Sequence, residues 1–251
     1  MKRLVSLFLS LAIVCCLIVS LVGCGKSANS GPVTDGIFEY ELVDGTYTVR
    51  CIHRTTEEEE YTEPFEAEIP STFRNIPVTT IGESAFQNCK NLSKVVIPDS
   101  ITKIERRAFF GCESLTELIL SDNITYIGPG AFEWVPTENC TVYENILYFG
   151  SANNPYLYLY GVASKEQSYV IHADTRIIGH QSFRKVAINT IIIPAGVTQI
   201  GNMAFWNCQL LENFIFEGTV SQWNAISRDM GWREYTRIRE VVCSDGQVDL
   251  S

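Results

Sequence analysis

The chain has 251 residues and a formal net charge of −10, from 19 basic and 29 acidic residues. This acidic balance argues against nucleic acid and anionic lipid as partners, because binding to phosphate depends on Lys and Arg. The length suits one domain or an elongated array of repeats.

Residues 1–23 have the layout of a secretory signal peptide, with Lys2 and Arg3 before an uncharged apolar stretch over residues 4–22. The alternative is an uncleaved signal anchor, because the stretch is near the lower length limit for crossing a bilayer. The following "LVGC" ends at Cys24 and resembles the lipobox of bacterial lipoproteins. That resemblance implies cleavage before Cys24 and a lipid on its sulfur. Removal of the two basic residues would leave a net charge of −12.

Residues 24–36 are small and polar, and they predict a flexible tether. Residues 37–75 are predicted to form an N-terminal cap, because residues 38–53 alternate apolar and polar side chains around Asp44-Gly45, a hairpin signature. The acidic run at residues 57–60 is interpreted as a solvated loop. Metal binding there is the weaker alternative, since four consecutive carboxylates cannot all point at one ion.

An internal repeat of 22 or 23 residues occupies residues 76–132 and 169–217. Each unit carries an isoleucine and an Ala-Phe or Ser-Phe pair, and most add a leucine and a short β-branched run. The pairs are Ala85-Phe86, Ala108-Phe109, Ala131-Phe132, Ser182-Phe183 and Ala204-Phe205. One unit cannot bury its own apolar residues, but stacked units place identical side chains about 4.8 Å apart, the spacing of paired strands. The period therefore predicts a β-rich solenoid with short helical or loop segments.

The leucine, valine and isoleucine spacing resembles a leucine-rich repeat. The Ala-Phe-x-x-Cys and Ile-Pro elements narrow the resemblance to the BspA-like leucine-rich repeats of bacterial surface proteins, over about residues 38–248. The resemblance implies adhesion or protein recognition, with no cofactor.

The repeat register breaks over residues 133–168, where "NILYFG" and "YLYLYG" predict an inserted hairpin. Tyr156, Tyr158 and Tyr160 would share one face of its second strand. This tyrosine face is a candidate for stacking on sugars or anchoring a partner. The favoured interpretation is a half-buried amphipathic strand, because aromatic residues favour strands.

Residues 218–251 are predicted to form a helical C-terminal cap. Val220, Trp223, Ile226 and Met230 have helical spacing, and Thr219 or Ser221 is placed to cap the helix. Trp223 and Trp232 are interpreted as packing residues.

No sequence motif indicates catalysis or metal binding. The three histidines lie outside metal-ligand spacings, and "GESAF" lacks the second glycine of a nucleophile elbow. Cys89, Cys112 and Cys208 occupy equivalent repeat positions and are interpreted as buried packing residues. A Cys89–Cys112 disulfide is the alternative, because export permits disulfides.

Strand alternation predicts one outward apolar column along one sheet, bordered by a polar column. Its members are Val96, Ile119, Val170, Ile192 and Ile215. These residues could form a docking strip for a partner. Alternatively, they are aliphatic because such residues favour strands, or because loops cover them.

The favoured function is a lipid-anchored, non-catalytic protein-binding or adhesion module at the outer face of the bacterial membrane. Its partner would be a protein on a host or neighbouring bacterial surface. A carbohydrate-binding module using residues 145–161 and an extracellular hydrolase are the alternatives.

Overall fold

The computed structural model describes residues 32–52 and 64–250. The strands of the first half of the chain are β1 Val33–Thr34, β2 Phe38–Val43, β3 Thr46–Cys51, β4 Phe65–Glu68, β5 Thr72–Phe73, β6 Ile76–Ile81, β7 Leu92–Val96, β8 Lys103–Ile104, β9 Glu117–Ile119 and β10 Tyr126–Ile127.

The elements of the second half are β11 Thr141–Tyr143, β12 Ile146–Phe149, β13 Tyr158–Val162, β14 Ser168–Val170, β15 Ile177–Ile178, β16 Thr190–Ile193, β17 Gln199–Ile200, β18 Asn213–Phe216, α1 Val220–Ala225, β19 Ser227–Arg228, β20 Glu240–Cys243 and β21 Gly246–Asp249.

The predicted N-terminal hairpin is formed by β2 and β3. The strands are antiparallel, and the connecting Asp44 and Gly45 both have positive φ angles, 48° and 82°. Left-handed backbone at both turn positions matches the twist of the strands and explains the Asp-Gly pair.

The tether predicted over residues 24–36 extends too far, because β1 pairs antiparallel with β2. The Asp35 carboxylate accepts hydrogen bonds from the backbone N–H of Phe38 (2.8 Å) and from the Tyr40 hydroxyl (2.6 Å). These bonds hold Val33 and Thr34 against the hairpin.

The repeats form a β-solenoid, as the period predicts. Successive turns pair in parallel at the repeat spacing, for example Val95 with Leu118 and Ile191 with Phe214. Each repeat contributes one strand to each of two kinds of sheet. The parallel stacks are β3-β6-β8-β10, β4-β7-β9, β13-β15-β17-β19 and β14-β16-β18-β20.

Phenylalanine stacking forms the centre of the core. The rings of Phe86 and Phe109 are 4.9 Å apart and inclined by 11°, and Phe132 continues the stack at 5.6 Å. Phe183 and Phe205 stack at 5.2 Å in the later repeats. The repeated phenylalanine is therefore a packing residue, and the Ala-Phe segments around it are turns rather than helices.

The inserted hairpin is formed by β12 and β13, which pair antiparallel. Sequence reasoning missed β11, which pairs with β12 and adds a third strand. Beyond β13 the pairing becomes parallel, because Tyr158 lies opposite Ile177 and Leu159 opposite Ile178. The insertion is thus the first part of the sheet that continues through the later repeats.

Both faces of the middle strands of that sheet are buried, and each face belongs to a different core. Tyr158 and Ile177 pack with the first repeats, whereas Leu159, Ile178 and Ile200 pack with the later ones. Neighbouring residues of a strand point to opposite faces. The sheet of β12, β13, β15 and β17 therefore separates two hydrophobic cores.

The C-terminal cap contains the predicted helix, but α1 has only six residues. The Thr219 hydroxyl accepts from the Gln222 backbone N–H and the Gln222 side chain accepts from Thr219, forming a capping box. Extended backbone at Ile226 ends the helix, so Met230 is not helical and is 85% exposed. Trp223 is buried as predicted. In residues 32–52 and 64–250, no helix is long and apolar enough to cross a membrane.

Candidate docking surface

The predicted outward residues lie on the solvent side of their sheets. In the later repeats Val170, Ile192, Ile215 and Val242 are aligned by strand pairing, and we call them the Val170 column. Val170 is 48% exposed and Val242 44%, and the two isoleucines between them are half-buried. Ile191, Phe214 and Val241, one residue earlier on their strands, are at most 1% exposed.

The prediction of one column along one sheet is wrong. Val96 and Ile119 are aligned with each other, but β9 and β14 belong to different sheets. After β9 the Leu120 N–H donates to the Gly150 carbonyl (2.9 Å), in the inserted segment. The insertion thus ends the first sheet, so Val96 and Ile119 form a separate short column.

Val242 is the member of the Val170 column that sequence reasoning missed. It lies 27 residues after Ile215, outside the 22- or 23-residue period. Strand alternation in "EVVC" was the available signal, because Val241 and Cys243 are buried and Val242 is not.

A polar column borders the apolar residues. Lys94 forms an ion pair with Glu117, with Nζ 2.7 Å from Oε1. In the later repeats the Asn213 amide donates to the Thr190 hydroxyl (3.1 Å). These pairs cross between adjacent strands and mark the outward face as solvent-facing in both sheets.

The three tyrosines do not form one exposed face, which corrects the candidate binding face and agrees with the alternative of a largely buried strand. Tyr158 is 3% exposed and packs edge-on against Phe132 at 5.4 Å; burial raises its pKa. Tyr156 stacks on His172 at 3.6 Å and packs against the second core. Tyr160 packs against the first core, and burial raises its pKa to about 12. The physical reason is that the strand lies between two cores.

Gln199 joins the two cores through a pair of hydrogen bonds. Its side-chain oxygen accepts from the Ile127 N–H (3.0 Å), and its amide donates to the Ile127 carbonyl (2.9 Å). Gln199 is 1% exposed. The side chain therefore takes the place of a neighbouring strand at the edge of β10, where these backbone groups would otherwise be buried without partners.

A cavity of about 200 Å³ lies at the same junction, between Phe132, Tyr160, His180 and Ser182. Burial lowers the pKa of His180 and favours its neutral form at pH 7. Its Nδ1 lies 2.9 Å from the Asn202 carbonyl oxygen, and its Nε2 lies 2.8 Å from the Gln181 amide nitrogen. Both ring nitrogens are thus engaged away from Ser182, so these residues do not form a serine–histidine nucleophilic pair.

The repeat cysteines are buried, and Cys89, Cys112 and Cys208 are fully enclosed. The Cys112 thiol donates to the Phe86 carbonyl (3.1 Å) and the Cys208 thiol to the Phe183 carbonyl (2.9 Å). Because Cys112 is a free thiol, the Cys89–Cys112 disulfide is not formed. Burial raises the pKa of Cys112 to about 12 and that of Cys208 to about 11.

Cys24, His53 and the acidic run at residues 57–60 lie outside the described residues. Within the described part of the chain, no group of three or more His, Cys, Asp or Glu side chains is arranged to hold a metal ion.

Comparison with protein families gives a match to the BspA type leucine-rich repeat region, in six copies over residues 66–153 and 158–227. A search of curated proteins gives no significant match.

Among solved structures, the chain is similar to the leucine-rich repeat protein of T. pallidum, with 20% identity, coverage of 74% of this chain and 71% of that one, and a TM-score of 0.42. A leucine-rich repeat protein from Bacteroides capillosus is 22% identical, with coverage of 85% and 98% and a TM-score of 0.32. The pneumococcal vaccine antigen PcpA is 14% identical, with coverage of 85% and 81% and a TM-score of 0.33.

Proposed function

Because the chain belongs to the BspA-type leucine-rich repeat family, we propose that it is an exported, lipid-anchored cell-surface protein that acts as a non-catalytic protein-binding or adhesion module. The proposed partner is a protein on a host or neighbouring bacterial surface. The Val170 column is the proposed docking surface.

The proposal that the Val170 column is a docking surface rests on one observation, the alignment of four outward aliphatic side chains. They occupy consecutive strands about 4.8 Å apart, and both ends of the column are over 40% exposed. A contiguous apolar strip on a protein surface is a common feature of docking sites, particularly where polar residues border it. Strand propensity alone would not require an aliphatic residue at each of four outward positions, since threonine is also a good strand residue.

The double change Ile215→Lys with Val242→Lys tests the docking surface. Both side chains point away from the core, so we expect the urea unfolding midpoint to be retained while capture of the surface partner is lost. Asn213→Lys, in the bordering polar column, is the matched control and should retain capture. The double change Val96→Lys with Ile119→Lys places the same charges on the separate short column. Comparison of the two double variants therefore shows which of the two columns binds the partner. Retention of capture by the Ile215→Lys, Val242→Lys protein would contradict docking on the Val170 column.

Lipid anchoring is proposed from the sequence "LVGC" and concerns Cys24. Two or more acyl chains would hold the protein stably on the membrane, because each buried CH₂ contributes about 0.8 kcal/mol. We expect Cys24→Ala to leave the protein unprocessed or release it into the medium, as measured by phase partitioning in detergent and by mass spectrometry of the mature N-terminus. Maturation and detergent partitioning like those of the parent would refute the anchor.

A further inference from the structure

The open edge of β14 carries backbone groups that no strand of the described chain pairs. β14 is the terminal strand of its sheet and pairs only with β16. The Ile171 N–H donates to Ile192 (3.0 Å), and the Gln167 carbonyl accepts from Asn189 (2.8 Å). Backbone groups of successive residues in a strand point to opposite sides. Those of Ser168 and Val170 therefore point away from the sheet.

A groove of about 480 Å³ lies along this edge, between β14 and the turn that joins β11 to β12. Tyr143 and Glu144 line it on the turn side, and Glu166, Ser168 and Val170 on the strand side. Tyr143 is 36% exposed and Val170 48%. Strand edges in soluble proteins are usually protected by Lys, Pro, a bulge or a covering segment. β14 carries neither Lys nor Pro: its exposed residues are Ser168 and Val170, and the neighbouring turn is joined to the start of the strand by the Asn145 amide, which donates to the Glu166 carboxylate (3.1 Å).

From this geometry we propose that β14 accepts an extended segment of a partner protein as an additional β-strand. The Ser168 and Val170 N–H and carbonyl groups would form the backbone hydrogen bonds, which supply affinity in strand addition. The proposal rests on the proposed function as a protein-binding module, and it specifies the form in which the partner is bound.

The side chains along the edge define the chemistry of that segment. A residue placed beside Val170 would extend the Val170 column, so it should be apolar. Residues placed towards Ser168 would lie near the carboxylates of Glu144 and Glu166, so they should be basic. In an interface between two β14 strands, Glu144 and Glu166 of one chain would lie near the same carboxylates of the other chain. Repulsion between these like charges argues against a second copy of this chain as the occupant.

The test uses the full chain in detergent and the peptide Lys-Thr-Val-Thr-Lys, acetylated and amidated at its ends and labelled for fluorescence anisotropy. The same peptide with Glu in place of Lys is the charge control. We expect the basic peptide to bind at least about tenfold more tightly than the acidic one, and to slow hydrogen exchange at residues 168–170.

Val170→Pro removes an N–H that faces the groove, and proline is tolerated at an edge strand when its missing N–H points out of the sheet. We expect it to weaken peptide binding by about tenfold or more, because one backbone hydrogen bond of the added strand can no longer form. Ser168→Pro, at the first residue of the strand, is a second variant should Val170→Pro fail to fold.

Equal binding by both proline variants and the parent, or equal binding of the two peptides, would overturn strand addition. Dimerisation of the parent that both proline variants abolish would also overturn it, by identifying a second copy as the occupant. Ile215 lies two strands from β14, and Val242 lies three strands from it. The double change Ile215→Lys with Val242→Lys should therefore leave peptide binding unchanged. If the Ile215→Lys, Val242→Lys protein loses partner capture but still binds the peptide, the two proposals are separated: the first result tests docking on the Val170 column, and the second tests strand addition at β14.

Discussion

The repeat cysteines are enclosed between stacked turns, and the thiols of Cys112 and Cys208 donate hydrogen bonds to backbone carbonyls of the preceding turn. Cys112 donates to Phe86 and Cys208 to Phe183, so the sulfur atoms are hydrogen-bonded as well as buried. A thiolate at either position would lose its hydration without gaining an opposite charge. These cysteines are therefore neutral packing residues, as their shared repeat position predicts.

The buried thiols should resist alkylation in the folded protein. At pH 8.5, maleimide should label Cys112 and Cys208 only after denaturation, because their pKa values are raised to about 12 and about 11. Gln209→Cys, next to Cys208 but exposed, is the control and should label at once. Rapid labelling of native Cys112 or Cys208, measured by mass spectrometry, would contradict the packing of the repeats.

The same pKa values set a pH dependence. Both thiols have a higher pKa in the folded chain than the ordinary value of 9.0, so the folded state favours the neutral form. Their contribution to stability is fully present below about pH 9, the ordinary pKa, and is lost as the pH rises towards 11 and 12.

At the scale of elements, the edge of β10 is completed by a side chain rather than by a strand. The Gln199 amide reproduces the donor and acceptor of a neighbouring backbone for Ile127. Sequence reasoning missed this residue because its partner lies 72 positions away in the chain. The available signal was the position before the repeat isoleucine, which holds the charged Lys103 in one of the first repeats and the uncharged Ile177 and Gln199 in the later ones.

Gln199→Leu should therefore destabilise the fold. The change keeps the side chain's approximate size but leaves the Ile127 N–H and carbonyl buried without partners, at a cost of about 1–3 kcal/mol for each group. We expect the free energy of unfolding in urea to fall by about 2 kcal/mol or more. Gln209→Leu, at an exposed position, should change it by less than about 0.5 kcal/mol. Equal stability of the two variants would show that the bonds to Ile127 contribute little.

Across the solenoid, the positions that repeat were predictable from the sequence, and the break between the two sets of repeats was not. A period of 22 or 23 residues fixes which side chains stack, so the Phe86, Phe109 and Phe132 stack and the facing of Val96 and Val170 follow from the sequence. The division of the core depends on contacts between distant segments, such as Tyr158 against Phe132. Local alternation predicts that Tyr158 lies on one face of a strand, but not that a second core covers that face.

The division into two cores also limits the length of the candidate docking surface. Because the insertion ends the first sheet, the outward apolar residues form two separate columns rather than one. The longer column includes Val242, from the C-terminal cap. A partner docked there would contact the later repeats and the cap together.

Site-specific photo-crosslinking on intact cells tests docking on the Val170 column most directly. A benzoylphenylalanine placed at Ile192 lies within the column, whereas one placed at Thr198 lies at an exposed position just before β17, outside the column. Irradiation should join the Ile192 derivative to a distinct surface protein, and Ile215→Lys with Val242→Lys in the same chain should abolish that product. Crosslinking of the same protein from Thr198 but not from Ile192 would contradict the proposed docking surface.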